Sequence, residues 1–269
     1  MNPFTRPLRN DDPALRLVVC HHAGGSGSAY FPLGRRLPPD WDLLLADLPG
    51  RGRRHREAPL RDLSAMVERL TEDVLPLTGP PLALFGHSMG AAVVAGTALA
   101  LERRGAPVAW VGVSGRLAPA DCGPVEDLDP GLSDRRLMAG LGRLGGIPAR
   151  FDEAPEFRRR FLRLVRGDLY ALGSARPDPA RQRLAAPLTA FGAAGDETAP
   201  ASRLGGWAAE TAGPFRSRVF DGGHFHFFDD GFAALGAALV AEIRRAVPGA
   251  DGPEGVRRAP APTTTGGQT

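Results

Sequence analysis

The feature that most constrains the fold is a regular alternation of short apolar runs with segments long enough to form helices. The runs are rich in leucine and valine and almost continuously apolar, which is typical of parallel strands covered on both faces. The predicted strands are Leu15–Cys20, Trp41–Ala46, Leu82–Phe85, Val108–Val113, Leu188–Phe191 and Arg216–Phe220. The predicted helices are Ala29–Leu37, Leu63–Leu75, Met89–Arg103, Ala199–Thr211 and Phe227–Val247. This alternation predicts an α/β fold with a mostly parallel central sheet flanked by helices.

One interval, residues 116–186, breaks the alternation. It contains no good strand, and two stretches in it, Ser133–Leu144 and Pro155–Leu172, are predicted to be helical. Three- and four-residue spacing places four apolar residues of the second stretch on one face: Phe157, Phe161, Leu164 and Val165. We interpret the interval as a helical lid subdomain, since lids commonly gate binding sites. Two ordinary packing helices are the alternative.

The lid divides a predicted α/β core that consists of residues 1–115 and 187–248. Residues 249–269 are mostly Gly, Pro, Ala and Thr, a composition that predicts a disordered tail. The beginning of the chain, Met1–Pro13, is polar and contains prolines, so we expect no signal peptide. The longest apolar stretch, Ala91–Leu101, is too short to span a membrane.

Composition excludes several classes of function. Hydrophobic residues make up 43% of the chain and charged residues 23%, which is ordinary for a globular protein. The formal net charge is only +3, so nothing suggests nucleic acid as a partner. Two cysteines, Cys20 and Cys122, imply no disulfide framework, and we expect a cytoplasmic monomer in which Cys20 is a buried thiol. No cluster has the spacing of a zinc site, and we expect neither metal nor cofactor.

A candidate nucleophile lies in the segment Gly86-His87-Ser88-Met89-Gly90, which fits the pattern G-x-S-x-G. The pattern alone is weak in a chain with 35 glycines. Its context is stronger, because a predicted buried strand precedes it and an apolar helix follows it. A sharp strand–helix turn needs glycines where any side chain would collide, and it exposes the serine between them. The helix N-terminus behind Ser88 favours developing negative charge.

A base and an acid should follow Ser88 along the chain. Of the six histidines, only His224 and His226 come late enough, and His224 follows a predicted strand on a glycine loop, where catalytic groups gather in such sheets. His226 is the alternative, and it could also cap or pack the last helix. The acid should follow the strand Leu188–Phe191. Asp196 is our candidate for the acid that orients the imidazole, and Glu197 is the alternative. Asp196 could instead have only a structural role, as the N-cap of the helix that follows.

An oxyanion hole would need two backbone N–H groups. One should come from Met89, the residue after the nucleophile, and the other from the glycine-rich loop after the strand that ends at Cys20. Ala23 in that loop is the candidate second donor. The loop could instead hold a phosphate, but it matches neither a Walker loop nor G-x-G-x-x-G.

Four motifs together resemble a known family, the type II thioesterases that accompany modular polyketide synthases and non-ribosomal peptide synthetases, members of the α/β-hydrolase superfamily. The motifs are His22-Ala23-Gly24-Gly25, Leu48-Pro49-Gly50-Arg51-Gly52-Arg53-Arg54, Gly86-His87-Ser88-Met89-Gly90 and Gly222-Gly223-His224-Phe225. The segment Leu164-Val165-Arg166-Gly167-Asp168-Leu169 also resembles a recurring lid sequence of these enzymes. The resemblance runs from about Leu15 to Val247.

The resemblance implies an α/β-hydrolase fold and an editing enzyme that removes acyl groups from the phosphopantetheine arm of carrier domains. It implies that Ser88, Asp196 and His224 form the triad and that residues 116–186 form a mobile lid. The implied partners are acyl or peptidyl carrier domains. Candidate contacts with the substrate or the carrier are His22, Arg51, Arg53 and Arg54.

The arginines of this set, together with Arg56, form a local cation cluster that could dock acidic carrier domains. A solvated loop beside its own acidic neighbours is the alternative.

Other functions stay open for the whole chain: a medium-chain fatty-acyl thioesterase, a general esterase or lipase, an acyltransferase or macrocyclase, and a non-catalytic binding protein. We expect hydrolysis rather than transfer, because the sequence starts at Met1 without an attached carrier domain.

Overall fold

A seven-stranded sheet forms the centre of the protein in a computed structural model that describes residues 3–123, 126–147, 155–174 and 182–248. The strands are β1 (Phe4–Leu8), β2 (Leu15–Cys20), β3 (Trp41–Ala46), β4 (Leu82–His87), β5 (Trp110–Ser114), β6 (Leu188–Ala193) and β7 (Phe215–Phe220). Their order across the sheet is β1-β3-β2-β4-β5-β6-β7, and every neighbouring pair except β1 with β3 is parallel. The predicted fold class is confirmed.

All six predicted strands are present, but the sequence prediction missed β1. This strand lies at the edge of the sheet, antiparallel to β3, and it contains Pro7, a residue that sheets tolerate mainly at edges. Arg6 of β1 forms an ion pair with the buried Asp42 of β3 at 2.7 Å. Arg6 therefore helps to attach this edge strand to the sheet.

Five α-helices lie among the described residues. They are α1 (Leu63–Val74), α2 (Met89–Arg103), α3 (Asp134–Leu144), α4 (Pro155–Ser174) and α5 (Phe232–Ala246). Two further predicted helices are 3-10 helices with shifted bounds, Gly27–Arg35 and Ala201–Glu210. The first contains Pro32, whose missing N–H weakens an α-helical ladder. The last helix begins later than predicted, because a 3-10 turn, Asp229–Gly231, precedes it.

Both faces of the sheet are covered, and the strands alternate their side chains between two apolar layers. Along β2, Val18 and Cys20 belong to the layer that packs against α1 and α2, whereas Leu17 and Val19 belong to the layer that packs against α5. This period of two explains why nearly continuous apolar runs form buried strands. Cys20 is a buried free thiol, and burial raises its pKa to about 12.

Helices α3 and α4 lie between β5 and β6 along the chain, inside the interval predicted as a lid. They share a small apolar cluster: Leu137, Leu141, Phe161, Leu162 and Val165. Leu164 is also buried, whereas Phe157 is 52% exposed, so three of the four residues predicted to share one face are buried. Phe157 lies in the first turn of α4.

Two further features concern only the part of the chain that the structure describes. None of the helices there is both long and apolar enough to cross a membrane. In the same residues, no group of three or more His, Cys, Asp or Glu side chains is arranged to hold a metal ion. The predicted tail, residues 249–269, lies outside the described residues.

Candidate active site

The residues predicted to carry the chemistry follow the carboxyl ends of four different parallel strands. Ala23 follows β2, Ser88 follows β4, Asp196 follows β6 and His224 follows β7. The carboxyl ends of parallel strands lie along one edge of the sheet, where ligands bind in open α/β folds. The topology therefore brings together residues that are up to about two hundred positions apart in the sequence.

Ser88 occupies a strained turn between β4 and α2. Its backbone has φ 55° and ψ −115°, in a region that residues with a side chain rarely adopt. A Cβ atom at Gly86 would collide with the carbonyl oxygen of Gly90, and one at Gly90 would collide with the carbonyl oxygen of Cys20. The two glycines of the motif thus allow the close approach on which this turn depends. Strain of this kind is concentrated at functional sites.

Asp196 and His224 form a buried pair. The Nδ1–H of His224 donates to Asp196 Oδ2 at 2.8 Å. The other carboxylate oxygen accepts from the backbone N–H groups of Thr198 at 2.9 Å and Ala199 at 3.1 Å. One oxygen of Asp196 therefore contacts the histidine and the other holds a local turn. The predicted N-cap role was wrong, because Pro200 occupies the N-cap of the following 3-10 helix, Ala201–Glu210. Glu197, the alternative acid, is exposed.

The charge of Asp196 is well stabilised despite its burial. Burial by itself raises the carboxyl pKa, but hydrogen bonds from His224 and Thr198 outweigh it and lower the pKa to about 2. The carboxylate is thus ionised at neutral pH and can favour a positive charge on His224.

The second ring nitrogen of His224, Nε2, forms no hydrogen bond among the described residues, whose contacts with this ring all use Nδ1. Its ring lies 4.8 Å, between centroids, from that of His87, the residue before Ser88. Among the described residues no hydrogen bond joins the Ser88 hydroxyl to His224. In free enzymes such bonds are commonly long, and they tighten only with substrate bound.

His226, the alternative base, has a different environment. Its ring stacks on Phe220 of β7 with a centroid separation of 4.5 Å. Burial lowers its pKa to about 4, so it is neutral at pH 7. The carboxylate of Asp196 hydrogen-bonds to His224, and this arrangement favours His224 as the base.

The loop that follows β2 is held in a tight turn. The N–H of Gly25 donates to the carbonyl oxygen of His22 at 3.1 Å, and His21 Nδ1 also donates to that oxygen at 2.8 Å. Asp168 of α4 accepts from the N–H of Gly24 at 2.7 Å. Ala23 lies between these anchored groups. Met89, the other candidate donor, is the first residue of α2, where backbone N–H groups have no partner within the helix.

His22 is buried beside the aromatic residues of the His224 loop. Its ring centroid lies 4.8 Å from that of Phe225, and its Nδ1 lies 3.2 Å from the Tyr30 hydroxyl. Burial, with smaller contributions from the charges of His224 and Arg51, lowers its pKa to about 3. The His22 side chain is therefore uncharged at neutral pH.

We expect this depressed pKa to make folding sensitive to acid. His22 titrates near 6.5 when unfolded and near 3 when folded, so its contribution to stability is complete above pH 6.5 and is lost as the pH falls towards 3. Between pH 7 and pH 5 the loss is about 2 kcal/mol. Urea unfolding of wild type and His22→Gln should show the difference in stability between them shrinking by about that amount. A difference that is independent of pH would contradict the assignment.

Two of the four arginines in the cluster are buried and cannot form part of a docking surface. Arg51 is 3% exposed and forms an ion pair with Asp168, and Arg54 is 2% exposed and forms ion pairs with Glu57 and Asp73. Neither guanidinium can meet a partner domain, which corrects the docking hypothesis for these two residues. Arg53 and Arg56 are exposed.

Sequence reasoning did not assign a role to Asp168. It lies in the lid-like segment noted above, and it shares the buried face of α4 with Phe161 and Val165 at helical spacing. A carboxylate in an apolar stripe signals a buried partner, which here is Arg51. The partner itself could not be found from the sequence, because the two residues are 117 positions apart.

The arrangement as a whole suits acyl transfer. It places a serine hydroxyl at a helix N-terminus, a histidine oriented by an ionised carboxylate, and a constrained loop with backbone N–H groups. A general base can activate the hydroxyl, and the backbone donors can stabilise the oxyanion. Nothing in this chemistry depends on a metal or a cofactor.

Comparison with known proteins gives a consistent result. Residues 15–240 match the family model described as "Thioesterase domain". The "Probable cadicidin biosynthesis thioesterase" of Streptomyces griseus is 38% identical over 79% of this chain, which spans only 58% of that relative's length. The solved "RedJ-Thioesterase from the Prodiginine biosynthetic pathway in Streptomyces coelicolor" has a TM-score of 0.79 at 35% identity, over 86% of this chain and 91% of its own. "YbtT - Type II thioesterase from Yersiniabactin NRPS/PKS biosynthetic pathway" has a TM-score of 0.80 at 28% identity. The match covers 92% of this chain and 99% of that structure's chain.

Proposed function

The chain belongs to the thioesterase family, and from that premise we propose that it hydrolyses acyl groups from the phosphopantetheine arms of carrier domains. The relatives named for cadicidin, prodiginine and yersiniabactin NRPS/PKS biosynthesis support an editing or release role in polyketide or non-ribosomal peptide biosynthesis. The observation that carries the proposal is the buried Asp196–His224 pair at the sheet edge that also bears Ser88. We also propose that the protein is a cytoplasmic monomer and that its partners are acyl or peptidyl carrier domains.

The first half of the proposed reaction forms an acyl-enzyme. His224 Nε2 takes the proton of Ser88 as Oγ attacks the thioester carbonyl, and Asp196 stabilises the resulting imidazolium. The N–H groups of Ala23 and Met89 hold the oxyanion. The carbon–sulfur bond then breaks, and His224 returns its proton to the departing pantetheine thiol.

In the second half, water replaces the thiol. His224 removes a proton from the water as it attacks the acyl-enzyme, and the same two N–H groups hold the second oxyanion. Collapse releases the free acid and restores the Ser88 hydroxyl with the proton from His224. Residues 116–186, which include α3 and α4, would form the lid over this site, beside the core of residues 1–115 and 187–248.

The proposal is tested by comparing a thioester and an oxygen ester that carry the same acyl group. We expect kcat/KM for an acyl-pantetheine thioester to exceed that for the matched oxygen ester by about tenfold or more, since the thiol leaves more readily. Free acid should be the sole product when a primary alcohol or amine is added. An equal or larger value for the oxygen ester would favour a general esterase, and ester or amide products would favour an acyltransferase.

A further inference from the structure

Asp168 is a buried carboxylate on the lid-interval helix α4, with three N–H donors around it. It is completely buried, and the guanidinium of Arg51 contacts it with two parallel hydrogen bonds of 2.6 and 2.8 Å. The third donor is the backbone N–H of Gly24, which lies 2.7 Å from the same oxygen that accepts the shorter bond. A carboxylate of α4 thus joins the loop after β3 to the loop after β2.

These contacts fix the backbone on both sides of Ala23. The carbonyl of the His22–Ala23 peptide accepts from Gly25 and His21, and the N–H of the Ala23–Gly24 peptide donates to Asp168. In a trans peptide the C=O and N–H point in opposite directions. Anchoring the first carbonyl therefore directs the Ala23 N–H away from the turn, and anchoring the second peptide prevents rotation about the bonds between them.

Packing reinforces the same connection. Gly24 has φ +74°, and a Cβ atom there would collide with Val165 and Phe161 of α4. The helix therefore lies directly against the backbone of this loop. Any movement of α4 away from the core would break the hydrogen bond to Gly24 and remove the surface against which the loop packs.

We propose that Asp168 is a positioning residue for the oxyanion hole, so that the Ala23 N–H is correctly directed only while α4 is docked against the loop. This inference rests on the proposed function and deepens it. Hydrolysis becomes conditional on the position of the lid, because an undocked α4 leaves one oxyanion donor unconstrained. We expect ground-state binding to depend much less on this donor than transition-state binding does.

The alternative is an ion pair that contributes only to folding, and binding measurements separate the two. A boronic acid bonded to Ser88 Oγ places a negatively charged oxygen in the oxyanion hole, whereas an acyl-pantetheine amide resembles the ground state. For Asp168→Asn we expect kcat for acyl-pantetheine to fall about 10- to 100-fold, because an oxyanion donor is misplaced rather than removed. Boronate affinity should fall by a similar factor, and amide affinity should change by less than about threefold.

The control is Glu242→Gln, which removes another buried carboxylate charge. Glu242 lies on α5 and contacts Arg218 and Arg245. We expect this variant to change thermal stability and leave kcat and boronate affinity near those of wild type. If Asp168→Asn does not fold, Arg51→Lys keeps a cation beside Asp168 without the two parallel bonds, and it should show the same pattern with smaller factors.

A folded variant at either position with wild-type kcat and boronate affinity would overturn the proposal. So would equal losses of boronate and amide affinity, which would indicate a general distortion of the site. Failure of the wild type to hydrolyse any thioester would instead overturn the proposed function. In that case the ratio of boronate affinities between wild type and Asp168→Asn still decides whether Asp168 positions the hole.

Discussion

Replacing Ser88 with alanine is expected to lower kcat for thioester hydrolysis by about 10⁵- to 10⁶-fold, the scale seen when a triad nucleophile is removed. Ser88 lies in the strained turn between β4 and α2, and no other group forms the acyl bond in the proposed reaction. Steady-state release of thiol from acyl-pantetheine measures the loss. Intact-protein mass after brief exposure to substrate should show an acyl adduct on wild type and none on the variant.

Ser202→Ala is a matched control, because Ser202 is an exposed serine in the 3-10 helix Ala201–Glu210 and has no role in the proposed reaction. We expect its kcat to equal that of wild type. Activity of Ser88→Ala within about tenfold of wild type would show that another nucleophile or a directly activated water carries the reaction.

Replacing Asp196 with asparagine is expected to lower kcat by about 10⁴-fold with little effect on folding. The amide oxygen can still accept from Thr198 and Ala199 and maintain the turn. The amide nitrogen would then face His224 Nδ1 as a donor, so the imidazole would adopt the tautomer with its proton on Nε2 and could not accept one from Ser88. The rate at pH 7 and the unfolding midpoint of the same preparation test both parts.

Glu197→Gln is the control for this variant, since Glu197 is the neighbouring carboxylate and is exposed. Its kcat should stay within about twofold of wild type, as is usual for a surface substitution. A large loss in Glu197→Gln together with a small loss in Asp196→Asn would reverse the assignment of the acid.

Much of the fold could be predicted because it depends on local patterns. Burial on both faces of β2 and β3 produces apolar runs that are visible in the sequence, and both strands have the predicted bounds. The turn at Ser88 is also local, because its glycines, its strand and its helix are contiguous. The thioesterase family, which the motifs suggested, is confirmed by the family match over residues 15–240.

The features that were missed depend on residues distant in sequence. Strand β1 is held by Arg6 through its pairing with Asp42, 36 positions later. Arg51 and Arg54 belong to a run of arginines that suggests a surface, and only the buried or partly buried carboxylates of Asp168 and Asp73 explain why both are buried. Local composition reports charge, but it does not report where the opposite charge lies in the fold.

Hydrolysis of carrier-bound thioesters is tested most directly by release of free acid from acetyl-, propionyl- and longer acyl-carrier proteins, with wild type beside Ser88→Ala. We expect wild type to release the acids and Ser88→Ala to release none. If wild type cleaves simple esters but neither protein releases acid from any acyl-carrier protein, the assignment to carrier-bound substrates is contradicted.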